Sequence, residues 1–95
     1  MKIWEKNLTR MTSVDWDPKA REFLRKLPKE IASRIFSKID KEVRLNVERY
    51  LETLVNIEGF KLRVGDYRLF VDYYKSEDRL VIRAIRHMKD AYKNR

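Results

Sequence analysis

The feature that most constrains the fold is a two-residue turn between two stretches of alternating apolar and polar residues. Gly65 and Asp66 separate the stretch 60–64 from the stretch 67–74. Alternation of this kind predicts strands with one buried face, and a short turn that begins with glycine predicts a hairpin with a primed turn. The segment therefore predicts an antiparallel pair in which each cross-strand partner can be assigned.

A two-residue loop fixes the register of this pair. The expected partners are Val64 with Tyr67, Arg63 with Arg68, Leu62 with Leu69, and Lys61 with Phe70. Side chains alternate between the two faces of a sheet, so the apolar members share one face and can be buried. That face is expected to hold Phe60, Leu62, Val64, Tyr67, Leu69 and Val71.

The opposite face of the hairpin is predicted to be cationic. Lys61, Arg63 and Arg68 share it with Phe70 and Tyr74. Directly opposed arginines repel each other unless an anion lies between them, so this face is a candidate phosphate site. The alternative is a solvated face on which the arginines extend into water or pair with Asp72 or Glu58. Spacing alone leaves both interpretations open.

Helical spacing precedes the hairpin. A short strand is predicted over 11–16, followed by a helix that Asp17 caps and Pro18 begins. Pro28 ends this helix and can begin a second one, and the two should form an antiparallel hairpin. The apolar stripes are Ala20, Phe23, Leu24 and Leu27 in the first helix and Ile31, Ile35, Ile39 and Val43 in the second. Whether the second helix is long or breaks near Asn46 stays open.

A third strand over 80–86 follows a turn at 75–78, so the sequence predicts an α+β fold. An N-terminal strand and a two-helix hairpin pack on an antiparallel β-sheet. The 95 residues are expected to form a single domain, 1–95, with 1–10 as an additional N-terminal segment. The chain has no cysteine, no long apolar run and no secretory signal, so we expect a cytoplasmic protein without disulfides and without a membrane partner.

Charge and its position give the first indication of function. Lys and Arg number 23 against 15 Asp and Glu, a net charge of +8 that favours encounter with polyanions. The C-terminal stretch adds Arg83, Arg86, Lys89, Lys93 and Arg95 around the single His87. A lone histidine is more often structural, but beside a basic cluster it is a candidate proton carrier. One histidine, no cysteine and scattered acids give no support for a transition-metal site. No cofactor is expected.

The hairpin and the C-terminal stretch resemble the RelE/ParE toxin superfamily. The resemblance rests on Lys61-Leu62-Arg63-Val64 followed by Gly65-Asp66-Tyr67-Arg68, and on Arg86-His87-Met88-Lys89-Asp90-Ala91-Tyr92. It implies a RelE-like domain that acts as the toxin of a toxin–antitoxin system. It also implies a ribosome-dependent endoribonuclease that cuts mRNA by attack of a ribose 2′-OH on the adjacent phosphate. The implied partners are a cognate antitoxin, the ribosome and mRNA.

The same resemblance implies roles for individual residues. Lys61 matches a proton acceptor or charge stabiliser, Arg68 the arginine that stabilises the charge developing on the phosphate, and Arg86 a second phosphate or leaving-group contact. Tyr92 matches a tyrosine that stacks on or orients the RNA, and His87 a candidate general acid. Further RNA contacts are expected from Arg63, Arg83 and Lys89.

Met88 departs from the family pattern, since relatives commonly carry arginine there. Loss of that charge would weaken RNA contact or catalysis, so the enzyme could be attenuated. Two alternatives therefore stay open: a ParE-type inhibitor of DNA gyrase on the same fold, and a relic that binds only its antitoxin or nucleic acid.

Overall fold

The computed structural model of the protein describes residues 12–89. Within this range the chain forms five strands and three helices, joined in part by 3-10 turns at Val43–Leu45 and Lys75–Glu77. In chain order the elements are β1 (Ser13–Trp16), α1 (Pro18–Lys26), α2 (Lys29–Lys41), α3 (Val47–Tyr50), β2 (Glu52–Thr53), β3 (Phe60–Val64), β4 (Tyr67–Tyr74) and β5 (Arg79–His87). Helices that pack on one sheet confirm the predicted α+β fold.

The sheet has the strand order β1-β5-β4-β3-β2. Strands β3, β4 and β5 pair antiparallel, as predicted. The short strand β2, which the sequence did not predict, pairs antiparallel with β3, whereas the edge strand β1 is parallel to β5. A parallel pair requires a long connection, and here the helices and the β3–β4 hairpin lie between the two strands. The sheet is therefore mixed: the predicted antiparallel strands are joined by a parallel edge strand whose pairing the sequence did not predict.

The hairpin register agrees with the prediction at every pair. Val64 lies opposite Tyr67, and Arg63 lies opposite Arg68. Gly65 has a φ of +57°, while Asp66 is not among the residues with positive φ, as in a type II′ turn. Glycine is favoured at this first loop position because a Cβ atom disfavours the left-handed region.

The helices cover one face of the sheet and bury the predicted apolar positions. The largest fully buried side chains are Ile35, Ile39, Leu62, Leu69, Leu80, Ile82, Val43 and Val71. They join the α2 stripe to the inner face of β3, β4 and β5. Trp16 and Phe36 stack at the edge of this core, with ring centroids 5.9 Å apart.

One detail of the helices differs from expectation, and one open question is resolved. The carboxylate of Asp17 makes no capping hydrogen bond. Instead it lies 3.6 Å from Nε of Arg83, and only the backbone oxygen of Asp17 accepts from the N–H of Arg21. Helix α2 ends at Lys41, and Val43 continues the buried stripe from a 3-10 turn. The second helix is thus broken before Asn46.

None of the helices within 12–89 has both the length and the apolar character needed to cross a membrane.

Candidate functional site

Three arginines form a row across three neighbouring strands on the face turned away from the helices. Arg68 on β4 lies opposite Arg63 on β3 and opposite Arg86 on β5. Directly opposed residues project on the same face with Cβ atoms ~4.5–5.5 Å apart. Leu62, Leu69 and Ile85, which flank the row, are buried on the other face. We call Arg63, Arg68 and Arg86 the arginine row.

Lys61 lies next to the arginine row. It is two residues from Arg63 on β3, and therefore on the same face, opposite Phe70. Arg63 and Arg86 are exposed, while Lys61 and Arg68 are half-buried. The structure thus brings together three of the predicted catalytic residues, Lys61, Arg68 and Arg86, with the predicted RNA contact Arg63.

None of the four cations forms an ion pair within residues 12–89, although Glu52 of β2 lies opposite Lys61. None of them donates a side-chain hydrogen bond there. Asp72, suggested by the sequence as a partner for the opposed arginines, is paired with Arg83 instead. Repulsion along the arginine row is therefore uncompensated in this part of the chain, and a phosphate would relieve it.

The other half of the same face is neutralised. Arg79 hydrogen-bonds Asp15 at 2.7 Å and lies over the ring of Tyr74. Arg83 hydrogen-bonds Asp72. These bonds raise the pKa of Arg79 and of Arg83 above the ordinary value, because the charged form is stabilised. The predicted RNA contact Arg83 is thus committed to carboxylates and does not join the arginine row.

A β-bulge explains the different environment of Arg83. Phe70 pairs with Ala84 and Val71 pairs with Ile82, so Arg83 is an extra residue on β5. A bulge changes the direction of the inserted side chain, and here it carries the guanidinium to Asp72 and Asp17. No simple sequence signal marks the bulge, apart from the spacing of the buried Ile82 and Ile85, which are three positions apart where regular alternation would require an even number.

His87 lies on the helix side of the sheet. Its ring packs edge to face with the ring of Tyr67, with ring centroids 4.9 Å apart. Nδ1 accepts a hydrogen bond of 3.1 Å from the backbone N–H of Lys89. It lines a recess together with Ile31 and Arg34 of α2. The structure therefore does not bring His87 together with Lys61, Arg68 and Arg86, whose side chains lie on the opposite face.

The remaining predicted residues lie at the end of β5. Lys89 is exposed, and the backbone N–H of Met88 donates to the carbonyl of Asp66, which ties this end to the hairpin turn. Tyr92 lies outside the described residues, so its predicted role is carried forward as a prediction. Within 12–89 no group of His, Asp and Glu side chains is arranged to hold a metal ion.

Comparison with known protein families agrees with the motifs and the fold. Residues 14–92 match the family model described as the ParE toxin of the type II toxin–antitoxin system parDE. The chain belongs to this family. It is a toxin of a type II toxin–antitoxin system within the RelE/ParE superfamily, which confirms the resemblance carried by the hairpin and C-terminal motifs. Among curated protein sequences, none matches significantly.

Solved structures of RelE-type toxins share the fold. The RelBE2 complex of Mycobacterium tuberculosis superposes with a TM-score of 0.75 at 24% identity, over 80% of this chain and 90% of that chain. The archaeal RelE–RelB complex of Pyrococcus horikoshii gives 0.62 at 16% identity, over 82% and 96%. The intact RelBE complex of E. coli gives 0.60 at 22% identity, over 78% and 93%. At these identities the likeness concerns the fold.

Proposed function

We propose that the protein is a ribosome-dependent endoribonuclease that cleaves mRNA by attack of a ribose 2′-OH on the adjacent phosphate. The observation that supports this most strongly is the arginine row, three directly opposed guanidinium groups beside Lys61 with no carboxylate partner within 12–89. Uncompensated cations on a surface not covered by helices are the requirement for binding a phosphate whose charge increases in the transition state.

The position of each cation suggests its role in the reaction. Arg68 is central, half-buried and flanked by both other arginines, so its planar fork can hold two phosphate oxygens. Arg86 can stabilise the leaving oxygen from one side, while Arg63 contacts the RNA backbone from the other. Lys61, one position along the face, can accept the proton of the attacking 2′-OH or stabilise the charge that develops on that oxygen. Tyr92 is proposed to orient the RNA.

A cognate antitoxin is the proposed protein partner. The three structural relatives described above are toxins in complex with their antitoxins. A partner that neutralises this toxin would need to cover or displace the cationic face, and an acidic segment suits a surface of uncompensated arginines. The ribosome and mRNA are the other proposed partners, and the activity is proposed to be cytoplasmic.

Inhibition of DNA gyrase is the second candidate function, because the matching family model is that of the ParE toxin. Such a toxin acts by binding a protein and needs no RNA-cleaving residues. Both activities occur on this fold, so the fold cannot distinguish them. The arginine row favours the ribonuclease, because cations without ion pairs suit a reacting phosphate.

Expression without antitoxin distinguishes the two functions. We expect translation to stop and primer extension on a translated reporter to show new 5′ ends within codons. Arg68→Gln should abolish these ends, while Arg25→Gln, on an exposed helical arginine, should preserve them. The free energy of unfolding of Arg68→Gln should be unchanged or higher, because repulsion in the row is removed.

Three results would count against this proposal. Intact reporter transcripts would support the second candidate if the protein also inhibited the supercoiling activity of purified gyrase. Marked unfolding of Arg68→Gln would show that Arg68 is structural. Loss of cleavage in Arg25→Gln as well would show that cleavage depends on the protein's overall positive charge and not on the arginine row.

A further inference from the structure

A groove of about 860 Å³ opens on the outer face of the sheet beside the arginine row, in the half where Arg83 is paired with Asp72. Phe70, Asp72 and Tyr74 of β4 lie along it, and the loop from Leu54 to Gly59 forms one wall. Neither the toxin fold nor the phosphate site described above accounts for this groove.

Phe70 is an aromatic residue without a place in the core. It lies opposite Lys61 and Ala84 on the outer face, and it is not one of the half-buried apolar residues that pack on the core. Ala84 is small, so one side of the ring is not covered by its β5 neighbour. A ring presented on a sheet face beside cations is the arrangement by which proteins stack single-stranded bases.

The distance from the arginine row suits a base attached to a bound phosphate. Phe70 follows Arg68 by two residues on β4, so the two side chains emerge on one face about 6.8 Å apart. This is comparable to the separation between a backbone phosphate and a base of the same strand. A phosphate held by Arg68 would therefore place a neighbouring base over Phe70.

Asp72 supplies a hydrogen-bond acceptor in the same groove. Its Oδ2 binds Arg83, which leaves Oδ1 without a hydrogen bond among the described residues. A carboxylate accepts from the exocyclic amino group of a base, as aspartate does from cytosine. Uracil has no such amino group, and its carbonyl oxygens on either side of N3–H would repel the carboxylate.

We propose that this groove is a nucleobase subsite. It binds the base of a nucleotide adjacent to the reacting phosphate by stacking on Phe70 and prefers an amino-bearing base through Asp72. The subsite deepens the proposed ribonuclease function and rests on it. It would influence which sequence the toxin cuts.

Binding of non-cleavable probes tests the subsite separately from catalysis. The full chain is titrated against fluorescein-labelled 2′-O-methyl hexanucleotides of cytosine, of uracil and of an abasic backbone. We expect the wild type to bind oligocytosine at least about fivefold more tightly than either other probe. Phe70→Leu should weaken oligocytosine binding roughly five- to 150-fold and leave the abasic probe unaffected. Phe70→Tyr should retain binding.

Two further variants complete the test. Phe36→Leu, which alters an exposed phenylalanine on α2, should bind like the wild type. Asp72→Asn should remove the preference for cytosine over uracil, because an amide both donates and accepts. Equal affinity of the wild type for oligocytosine and the abasic probe would refute the subsite. The groove would then be a candidate binding site for an apolar segment of a protein partner.

The subsite and the proposed function can fail independently. If the wild type cuts translated mRNA and Phe70→Leu binds every probe like the wild type, the subsite is refuted and the ribonuclease stands. If the probes depend on Phe70 but no mRNA is cut, the groove binds bases in a protein that is not a ribonuclease.

Discussion

At the scale of single residues, the direction of each side chain on β5 decides which groups can act together. Arg86 and His87 are neighbours in sequence, yet Arg86 projects with the arginine row and His87 packs against Tyr67 beneath the helices. Alternation along a strand predicts this separation. Sequence proximity had grouped the two residues, whereas the same alternation correctly placed Arg63 and Arg68 together.

Substitution of His87 tests its predicted role as general acid. We expect His87→Gln to retain cleavage within about tenfold, because the side chain lies on the face opposite Arg68 and Arg86. The free energy of unfolding should fall by ~0.5–1.5 kcal/mol, the usual contribution of an aromatic pair, here with Tyr67. Cleavage rates on programmed ribosomes and urea unfolding measure both. A loss of ~10²–10⁴ in rate with normal stability would restore His87 as a proton donor.

At the scale of elements, turn glycines and apolar spacing explain how much of the fold the sequence could predict. Gly65-Asp66 allowed the whole β3–β4 register to be derived, since a two-residue loop permits one pairing. The i, i+4 stripe from Ile31 predicted a buried helix face but not where the helix ends. Val43 stays buried whether it belongs to α2 or to the 3-10 turn.

The pairing of β1 and the bulge at Arg83 could not be predicted, because each depends on contacts between distant segments. Strand β1 is parallel to β5 and begins where Thr12 hydrogen-bonds Asp78 at 2.6 Å. Arg83 is directed to Asp72 and Asp17, which belong to two other segments. Local spacing carries no information on such partners.

The two glycines next to β3 should differ in their sensitivity to substitution. Gly65 has a φ of +57° and open space where a Cβ atom would lie, so Gly65→Ala should cost about 1 kcal/mol of unfolding free energy. Gly59 has a φ of +109°, and an added Cβ would lie 3.3 Å from the backbone oxygen of Val71. Gly59→Ala should therefore cost more, about 1–3 kcal/mol. Urea unfolding measures both, and an equal or reversed order would contradict the described loop geometry.

At the scale of the whole molecule, the positive charge on the outer face of the sheet is unevenly distributed. The net charge of +8 does not cover the outer sheet face evenly, since Asp15 and Asp72 neutralise Arg79 and Arg83. On this face, the arginines without an ion pair gather at the end of the sheet formed by the β3–β4 turn and the end of β5. Composition predicted a polyanion partner, and the register and the ion pairs show where on the sheet we expect it to bind.

The most direct test of the central claim is cleavage of mRNA on purified programmed ribosomes. The wild-type protein should cut an mRNA whose A-site codon is all-ribose and leave it intact when one 2′-deoxy nucleotide replaces the attacking ribose. Arg68→Gln should lower the single-turnover rate by ~10²–10³, while Arg25→Gln should match the wild type. Cleavage that persists with the deoxy nucleotide would contradict attack by the ribose 2′-OH. A wild-type rate in Arg68→Gln would contradict phosphate activation by the arginine row.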